Sequence, residues 1–554
     1  MYNGRLHLLL ALFLAGATVN AQEISIDRSS VGRMQRDMAF LASEALAGRA
    51  PGTPGIDQAK NYITDKMTNA GLAPMGESGF SQAFPFPSGV VADAANTTVT
   101  FGKKSLVLSH DFYPVAQSSN GRATGKTLFV GYGIEGEERN DFKGLNLEGR
   151  VAVLNVSSPD GIHPHSAYAK YHNLTERLKK LVEKGAVAVL LINPEKTATD
   201  ASESFNFIKA VGVPVVFVRN EKLSKRLQRA KKRVTVSVAQ EETYGEGYNL
   251  IGYRDNGAEH TVVIGAHYDH LGMGGSSSLY AGPAEVHNGA DDNGSGTVLF
   301  LELMNKLSTP QFAGYNYLFI AFSAEEMGLI GSKYYVSKPT FPNEMVHYMI
   351  NLDMVGRMRE HRVQISGTGT AVQWDALIDG LESPLEIKKD PSGIGPSDQT
   401  SFYKADIPVL HFFTGTHEDY HKPTDDVDKI NFVGMELLSV YIQNLILDTQ
   451  ELPELKFQRT KSNQGKKAAS FSVTLGIMPD YMFGGPGVKL DGVVEGKTAS
   501  VAGLKTGDIV LQLGDYVIDD IYGYMNALAA FKPGDEVTVT YLRDGKTLTT
   551  KATF

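Results

Sequence analysis

The sequence contains no cysteine among its 554 residues. Disulfides, thiolate nucleophiles, iron–sulfur clusters and every Cys-type zinc site are therefore excluded. Any metal must be held by His, Asp and Glu side chains. The chain does not need disulfides for stability, because at roughly 150 residues per domain it has room for three or four domains and a large buried core.

The sequence also lacks an excess of basic residues. Lys and Arg number 53, Asp and Glu number 62, and the formal net charge is −9, with no long basic run. Nucleic acid is therefore not expected as a partner, because its phosphates are recognised by clustered Lys and Arg. Hydrophobic residues make up 42% and charged residues 21% of the chain, which is typical of globular proteins rather than disordered ones.

Long apolar runs are absent after the N-terminus. Arg5, the apolar stretch 8–17 and the small residues of 19–21 form the pattern of a secretory signal peptide. The stretch is too short to cross a bilayer, and no Cys follows it that could carry a lipid anchor. No later run reaches the roughly 18 apolar residues of a membrane-spanning helix. We therefore expect an exported protein, periplasmic or secreted, with no integral membrane segment in the mature chain.

Changes in composition and in hydrophobic pattern along the chain predict five segments. They are a signal peptide (1–21), a discontinuous α/β domain (22–115 and 240–452), an insert (116–239), a polar linker (453–469) and a compact β-rich domain (470–554). In the second part of the α/β domain strands and helices alternate, which predicts a mostly parallel central sheet covered by helices on both faces.

Polar residues follow the apolar strand segments of the α/β domain. His267 and Asp269 follow 261–266, Glu325 and Glu326 follow 317–322, Asp353 follows 348–352, and Tyr420 and His421 follow 407–413. Between the first two, Asp291 and Asp292 precede an apolar helix. Because functional groups in open parallel sheets gather at the carboxyl ends of strands, we expect these side chains to meet at one edge. Imidazoles and carboxylates without a soft ligand suit Zn²⁺.

Charge balance favours two metal ions. Three ligating carboxylates carry −3 against +4 for two divalent ions, and a bridging hydroxide makes the site neutral. A single zinc would leave the buried cluster net negative, which is energetically costly.

Five motifs in this order resemble the co-catalytic di-zinc aminopeptidases, a family that includes secreted bacterial leucyl-type aminopeptidases and glutamate carboxypeptidase. They are His-x-Asp at 267–269, Gly-Ala-Asp-Asp-Asn-Gly-Ser-Gly at 289–296, Glu-Glu-x-Gly at 325–328, Asn-x-Asp-Met at 351–354 and Tyr-His at 420–421. The resemblance covers most of the chain outside the insert and the C-terminal domain. It implies an α/β zinc-peptidase sandwich that acts on peptides.

The resemblance implies two Zn²⁺ ions per chain. His267 and Asp353 would bind one ion, and Glu326 and His421 would bind the other. Asp292 would bridge the two.

The bridging position is assigned by the helix that follows it. Asp292 is preferred over Asp291 because the family's bridging carboxylate directly precedes this type of helix start, and a register shift of one residue is the alternative. Family members often have a non-proline cis peptide bond there, which implies one between Asp292 and Asn293.

The resemblance also implies three residues that act beside the metals. Glu325 would be the general base that takes a proton from the metal-bridging water. Asp269 would hold the ring of His267 in the required tautomer. Tyr420 would donate a hydrogen bond to the developing oxyanion.

Several polar residues near these motifs are interpreted as structural. They are His270, His287, His411, His417 and Asp291. The segment 395–402 has Gln399 where family members often carry a His after Ser-Asp, and we interpret it as pocket wall, which leaves substrate preference open.

The two remaining domains resemble known accessory modules. Segments 140–144, 147–151 and 211–215 of the insert resemble a protease-associated domain. Segments 473–478 and 498–510 resemble a PDZ domain of the bacterial protease type. Such a domain would hold a peptide carboxylate at backbone N–H groups and take the peptide as an added strand. Packing on the catalytic domain alone is the alternative role.

These observations predict an exported zinc aminopeptidase that hydrolyses N-terminal residues from peptides. A carboxypeptidase or dipeptidase on the same site is one alternative, and it would need Arg or Lys near the pocket, with Arg357 and Arg359 as candidates. A non-catalytic peptide-binding protein is the other, and it predicts an incomplete metal set.

Overall fold

The computed structural model describes residues 26–554 with short gaps. The gaps are 137–138, 163–165, 169–170, 197, 199, 202–209, 230, 276, 281–283, 453, 461–472, 481–482, 484, 495, 520 and 533. The predicted signal peptide (1–21), most of the predicted linker (453 and 461–469) and the predicted start of the last domain at 470 lie outside the described residues.

The described residues form 23 strands. They are β1 (Ala73–Pro74), β2 (Ser81–Ala92), β3 (Thr98–Phe101), β4 (Lys104–Ser105), β5 (Phe112–Pro114), β6 (Gly121–Phe129), β7 (Arg150–Asn155), β8 (Ala186–Ile192), β9 (Val215–Val218), β10 (Arg233–Val238), β11 (Gln240–Arg254), β12 (Thr261–His267), β13 (Asn316–Phe322), β14 (Val346–Leu352), β15 (Arg362–Ser366), β16 (Glu386–Asp390), β17 (Val409–Phe413), β18 (Ile477–Pro479), β19 (Val488–Val493), β20 (Ile509–Leu513), β21 (Tyr516–Val517), β22 (Glu536–Arg543) and β23 (Lys546–Thr553).

Eleven α-helices lie among these strands in the described part of the chain. They are α1 (Arg28–Leu41), α2 (Pro54–Asn69), α3 (Leu174–Glu183), α4 (Glu221–Leu227), α5 (Gly296–Lys306), α6 (Ile330–Ser337), α7 (Trp374–Gly380), α8 (Gln399–Lys404), α9 (Phe432–Gln450), α10 (Thr498–Val501) and α11 (Ile521–Leu528). None of the described helices combines the length and apolar character needed to cross a membrane.

The largest sheet belongs to the main domain, which is built from β1, β2, β11–β17 and their helices. Its strand order is β1-β11-β13-β12-β14-β17-β15-β16, with β2 paired to β11. The four central strands β13, β12, β14 and β17 are mutually parallel, while β11 and β15 join them antiparallel on either side. The predicted α/β sandwich is therefore confirmed, with a parallel centre and antiparallel flanks.

The central strands are apolar on both faces because helices cover both. In β12, Val262 and Ile264 point into a core that includes α1, α2, α5, α7 and α9, whereas Val263 points into a second core with α6 and α8. Near-continuous apolar runs are typical of parallel strands buried in this way.

Because the four central strands run parallel, their carboxyl ends meet at one edge of the sheet, which we call the rim.

The insert forms a separate eight-stranded sheet with the order β4-β3-β10-β6-β7-β8-β9-β5. Strands β3, β4 and β5 belong to it although they precede the predicted start at residue 116, because β3 pairs with β10 and β5 pairs with β9. A long antiparallel ribbon of β2 and β11 connects this sheet to the main domain, with Ala92 opposite Gln240. We propose that the insert spans 93–239.

The C-terminal domain has its own sheet and its own core. The sheet order is β18-β19-β20-β22-β23, with β21 paired to β20, and β18 is an edge strand. The described start of the predicted linker packs on the main domain instead of extending into solvent: Leu455 is buried in the main core and Thr460 N donates to Tyr403 Oη at 3.0 Å.

Candidate metal centre

One group of potential ligands lies where β12 and β14 end. His267 is the last residue of β12, and Asp353 directly follows β14. The Nε2 atom of His267 lies 3.4 Å from Oδ1 of Asp353 and 3.6 Å from Oδ1 of Asp292. These three residues each offer an atom that could hold one metal ion.

A second group shares Asp292 with the first. Its other carboxylate oxygen, Oδ2, lies 3.2 Å from Nε2 of His421, and this same nitrogen lies 3.2 Å from Oε2 of Glu326. His270 also reaches the group, with Nδ1 at 2.8 Å from Oε1 of Glu326 and 3.9 Å from Oδ2 of Asp292. His270, Asp292 and Glu326 form the second set whose atoms are close enough for one ion.

Two imidazoles therefore border the second group. Nε2 of His421 is equally close to both carboxylates, as expected of a third ligand, whereas Nδ1 of His270 is at hydrogen-bond distance from one of them. We favour His421 as the ligand and His270 as the residue that orients Glu326. The interpretation of His270 as a merely structural histidine therefore missed its place beside the site.

Buried atoms in the cluster have no hydrogen-bond partner among the described residues. They include His267 Nε2 and Asp353 Oδ1. Buried polar atoms normally find a partner, and exceptions need an explanation such as a bound ion. Hard oxygen and borderline nitrogen ligands around shared Asp292 fit Zn²⁺ in chemistry and in number.

Glu325 lies next to these ligands and is held by its backbone. Its N–H donates to Oδ1 of Asp269 at 3.1 Å, and its Oε2 lies 3.9 Å from Nε2 of His267. Burial raises the pKa of Glu325 well above its ordinary value. The charge of His267 opposes this shift, and the charges of Asp353 and Asp398 reinforce it. A carboxyl of raised pKa is suited to accept and return a proton.

Asp269 has a different partner from the one expected. Nδ1 of His267 lies 3.2 Å from the backbone oxygen of Asp269, while the carboxylate oxygen Oδ1 is 3.7 Å away. The backbone carbonyl thus orients the ring, because 3.7 Å is longer than a hydrogen bond. The carboxylate of Asp269 instead fixes the start of the segment that carries Glu325 and Glu326.

Tyr420 lies beside the cluster. Its ring stacks on that of His421 with centroids 3.9 Å apart. Burial together with the carboxylates of Asp292, Glu326 and Glu325 raises the pKa of Tyr420 well above its ordinary value. The phenol hydroxyl is a group that can donate a hydrogen bond.

A layer of buried acids holds the segment that carries Asp292. Oδ2 of Asp425 accepts hydrogen bonds from the N–H groups of Asp291 (2.9 Å) and Asp292 (3.0 Å). Asp291 accepts from Gly356 N at 2.7 Å, so its carboxylate turns away from the ligand cluster, in keeping with its structural interpretation. The peptide bond between Asp292 and Asn293 is cis, as the resemblance implied.

Arg49 joins the two loops that carry ligands, and its role was not predicted. Its buried guanidinium donates to the carbonyl oxygens of Tyr268 (3.0 Å), Asn288 (2.6 Å), Gly289 (3.0 Å) and Leu41 (2.6 Å). Its signal in the sequence was an Arg within the Gly- and Pro-rich segment 47–55. Such a loop leaves carbonyl groups unpaired by regular structure, and an Arg can satisfy several of them.

Asp398 is a further buried acid beside the cluster. It is fully buried, and neither carboxylate oxygen has a hydrogen-bond partner among the described residues. Burial raises the pKa of Asp398 to about 7, with the nearby charge of His267 acting against this shift. The segment 395–402, interpreted as pocket wall, therefore brings an acidic group toward Glu325 and Asp353.

Comparison with known proteins agrees with this geometry. A model of Peptidase family M28 matches residues 249–442, and a PDZ domain model matches residues 458–553. Residues 249–442 are thus similar to peptidase family M28. All five implied ligands lie within this M28 region. The predicted resemblance to zinc aminopeptidases and the predicted C-terminal PDZ domain are confirmed.

Relatives of the M28 region are named as aminopeptidases. The chain is 29% identical over 272 residues to Aminopeptidase YwaD of Bacillus subtilis (strain 168), covering 46% of this chain and 55% of that protein. It is 24% identical over 464 residues to an aminopeptidase of Pseudomonas aeruginosa (strain UCBPP-PA14), covering 75% of this chain and 79% of that protein. The chain thus spans about half the length of the Bacillus relative.

Among solved structures, the alignment with BSAP, a zinc aminopeptidase from Bacillus subtilis, covers 78% of this chain and 96% of that chain. The sequence identity is 21% and the TM-score is 0.46.

Proposed function

We propose that the protein is an exported zinc aminopeptidase that removes N-terminal residues from peptides. The observation that carries the proposal is the sharing of Asp292 by two ligand groups directly beside Glu325. His267 and Asp353 complete one group, and Glu326 and His421 complete the other. The names of the relatives agree with this activity, and the predicted signal peptide is the basis for export.

Zn²⁺ held by these groups would polarise the scissile carbonyl and lower the pKa of bound water. Glu325 would take a proton from the attacking water and pass it to the leaving amine. Tyr420, whose ring stacks on His421, would donate a hydrogen bond to the carbonyl oxygen, where negative charge develops.

The charges around the site favour an N-terminal ammonium over a C-terminal carboxylate. Glu325 and Asp353 are acidic side chains beside His267, and Asp398 is a fully buried acid whose charge acts on Glu325. Both arginines that a carboxypeptidase would use have other partners: Arg357 donates to Asp419 at 2.9 Å, and Arg359 donates to Asp491 at 3.3 Å. A substrate carboxylate would therefore meet acids rather than a free guanidinium, which supports the aminopeptidase over the carboxypeptidase or dipeptidase alternative.

The two accessory domains have proposed roles in binding. We assign the insert to the protease-associated class on its sequence motifs, as a non-catalytic lid or binding domain. The PDZ domain is proposed to bind the C-terminal end of a peptide or protein chain.

The test is mass spectrometry of a mixed peptide library after incubation with the purified protein, with and without a chelator. We expect loss of single N-terminal residues, abolished by the chelator and restored by zinc. C-terminal trimming would favour the carboxypeptidase alternative. Intact peptides at full zinc occupancy would favour a peptide-binding protein.

A further inference from the structure

The PDZ domain contacts the same loop that carries Tyr420 and His421. This loop, residues 414–421, follows β17 at the rim. Within it, Thr416 Oγ1 donates to the carbonyl oxygen of Pro479 at 2.8 Å and lies 3.3 Å from Oδ2 of Asp491. Arg359 donates both to the carbonyl oxygen of Thr416 and to Asp491.

A second contact lies on the neighbouring edge of the main sheet. Lys388 Nζ, in β16, donates to the carbonyl oxygen of Phe483 at 2.9 Å. Asp491 and Thr416 are both buried at the first contact. The PDZ domain is therefore seated at the rim and not held only by the segment that precedes it.

The point of contact is one end of the strand on which a PDZ domain takes up a peptide. Pro479 is the last residue of β18, an edge strand that pairs with β19 alone among the described strands. The loop at its other end contains Gly476, whose φ is +71°, and a Cβ there would lie 2.2 Å from Cβ of Lys497. In a PDZ domain the backbone N–H groups of this loop hold the peptide carboxylate. Here the N–H of Gly476 donates to Thr474 Oγ1 at 3.1 Å, a bond that a bound carboxylate would replace.

These positions give a bound peptide a direction. A chain whose carboxylate lies at Gly476 and that pairs along β18 must extend toward Pro479. Its upstream residues are thus directed to Thr416 and the rim. Such a chain presents its N-terminal part to the metal centre, and this is the end that an aminopeptidase attacks.

The remaining distance is short enough for one peptide to bridge. Thr416 and His421 are five residues apart, so their Cα atoms are separated by at most about 18 Å. An extended peptide advances about 3.3 Å per residue, so about six residues at most cover this distance. Together with the residues paired to β18, a peptide of about ten residues is long enough to bridge the two sites.

We infer that the PDZ domain is a substrate anchor, which holds the free C-terminal carboxylate of a peptide of about ten residues or more while its N-terminus is at the metal centre. This inference rests on the proposed aminopeptidase function. Holding one end raises the effective concentration of the other end at the site. Long peptides therefore have a lower KM without any new contact at the reacting bond.

The test compares 15-residue peptides made as free acids and as C-terminal amides, together with dipeptide substrates, on the full-length protein. We expect kcat/KM for N-terminal release to be about tenfold or more higher for the long acids than for the long amides, through KM. No such difference is expected for dipeptides. Successive trimming of a long acid is expected to slow once the peptide is too short to bridge, at about ten residues or fewer.

A variant pair tests the same point in the protein. Lys497 is exposed and its Cβ and Cγ approach Gly476, whereas Lys505 is an exposed lysine elsewhere in the domain. Lys497→Glu is expected to remove the advantage of the long acids by repelling their carboxylate. Lys505→Glu, which carries the same charge change, is expected to retain it.

A competing peptide distinguishes anchoring of the substrate from activation of the metal centre by an occupied PDZ domain. An N-acetylated five-residue free acid cannot be trimmed, and it should inhibit cleavage of long acids without affecting dipeptides. Equal rates for long acids and amides would overturn the anchor, as would acceleration of dipeptide cleavage by the competitor. Failure to cleave any substrate at full zinc occupancy would instead contradict the aminopeptidase proposal itself.

Discussion

His417 and Asp291 form a buried pair directly behind the bridging position, with His417 Nε2 at 3.1 Å from Asp291 Oδ2. The same carboxylate accepts a hydrogen bond from Gly356 N through its other oxygen. Both carboxylate oxygens of Asp291 therefore have protein partners, while Asp292 faces both ligand groups. Two adjacent acids of identical chemistry thus have separate roles.

Substitution of these two acids tests the assignment of the bridge. Asp292→Asn should reduce bound zinc from two ions to one or fewer and abolish turnover, because an amide cannot bridge two cations. Asp291→Asn keeps an acceptor for Gly356 and should change zinc affinity by no more than about tenfold. Metal analysis by mass spectrometry measures both. The reverse order of effects would move the bridge to Asp291.

Glu325 and Glu326 provide a second matched pair. Glu325→Gln should keep both zinc ions but lower kcat by about 10²–10⁴-fold, because the amide cannot take a proton from water. Glu326→Gln should lose the ion next to His421. Zinc content and kcat are measured on the same preparations. Wild-type turnover in Glu325→Gln would contradict its role as general base.

His421 and His270 can be distinguished by metal affinity. His421→Gln should empty the group formed with Asp292 and Glu326. His270→Gln removes only the hydrogen bond to Glu326 and should weaken zinc binding by about 10–100-fold. Titration with a competing chelator gives the affinities. Complete loss of the ion in His270→Gln, with affinity retained in His421→Gln, would make His270 the ligand.

Arg49 and Arg177 are buried arginines that both bind backbone carbonyls. Arg177, in the insert, donates to the carbonyl oxygens of Asn155, Val156 and Ser157. Lysine at either position loses most of these bonds and should lower stability by about 3–5 kcal/mol. Only Arg49→Lys should also weaken zinc binding, because Arg49 joins the two ligand-carrying loops. Thermal unfolding and chelator competition separate the two effects.

His347 makes the stability of the main domain sensitive to acid. Burial, reinforced by His260 stacked at 4.5 Å, lowers the pKa of His347 to about 4. Between this value and the unfolded value near 6.5, the unfolded chain binds more protons, so stability falls as the pH drops through this window. The loss is on the order of 3 kcal/mol at most.

His347→Gln should reduce this dependence on pH. Trp374, the single tryptophan, is buried in the main core against Tyr348, so its fluorescence reports unfolding of this domain. Urea unfolding curves at pH 7 and pH 4.5 give the difference. An unchanged difference in the variant would assign the acid sensitivity to other groups.

Much of the site could be predicted because its residues lie at the ends of recognisable strands. His267 and Asp353 end two parallel neighbours, and parallel order alone brings them to one edge. The hydrogen bond of His270 to Glu326 could not be read from sequence, because it depends on which side of the loop each ring faces. The hydrogen bond from the backbone N–H of Glu325 to the carboxylate of Asp269 could not be read from sequence for the same reason.

The contacts of Arg49 and the start of the insert depend on pairings between distant parts of the chain. Arg49 binds carbonyl oxygens more than 200 residues away, at Tyr268 and Asn288. Thr98 and Ser237 pair in β3 and β10, so the first strand of the insert is identified only by a partner far downstream. A local sequence pattern can indicate a strand but not the sheet to which the strand belongs.

The ribbon of β2 and β11 has an evolutionary consequence. The chain leaves the main domain at Ala92 and returns at Gln240 directly opposite, and the N–H of Asp93 donates to Ala239 O at 2.8 Å. A turn of a few residues could therefore replace the whole insert as an ordinary hairpin. At this position a gene can acquire, lose or exchange an entire domain while every ligand-bearing strand keeps its place.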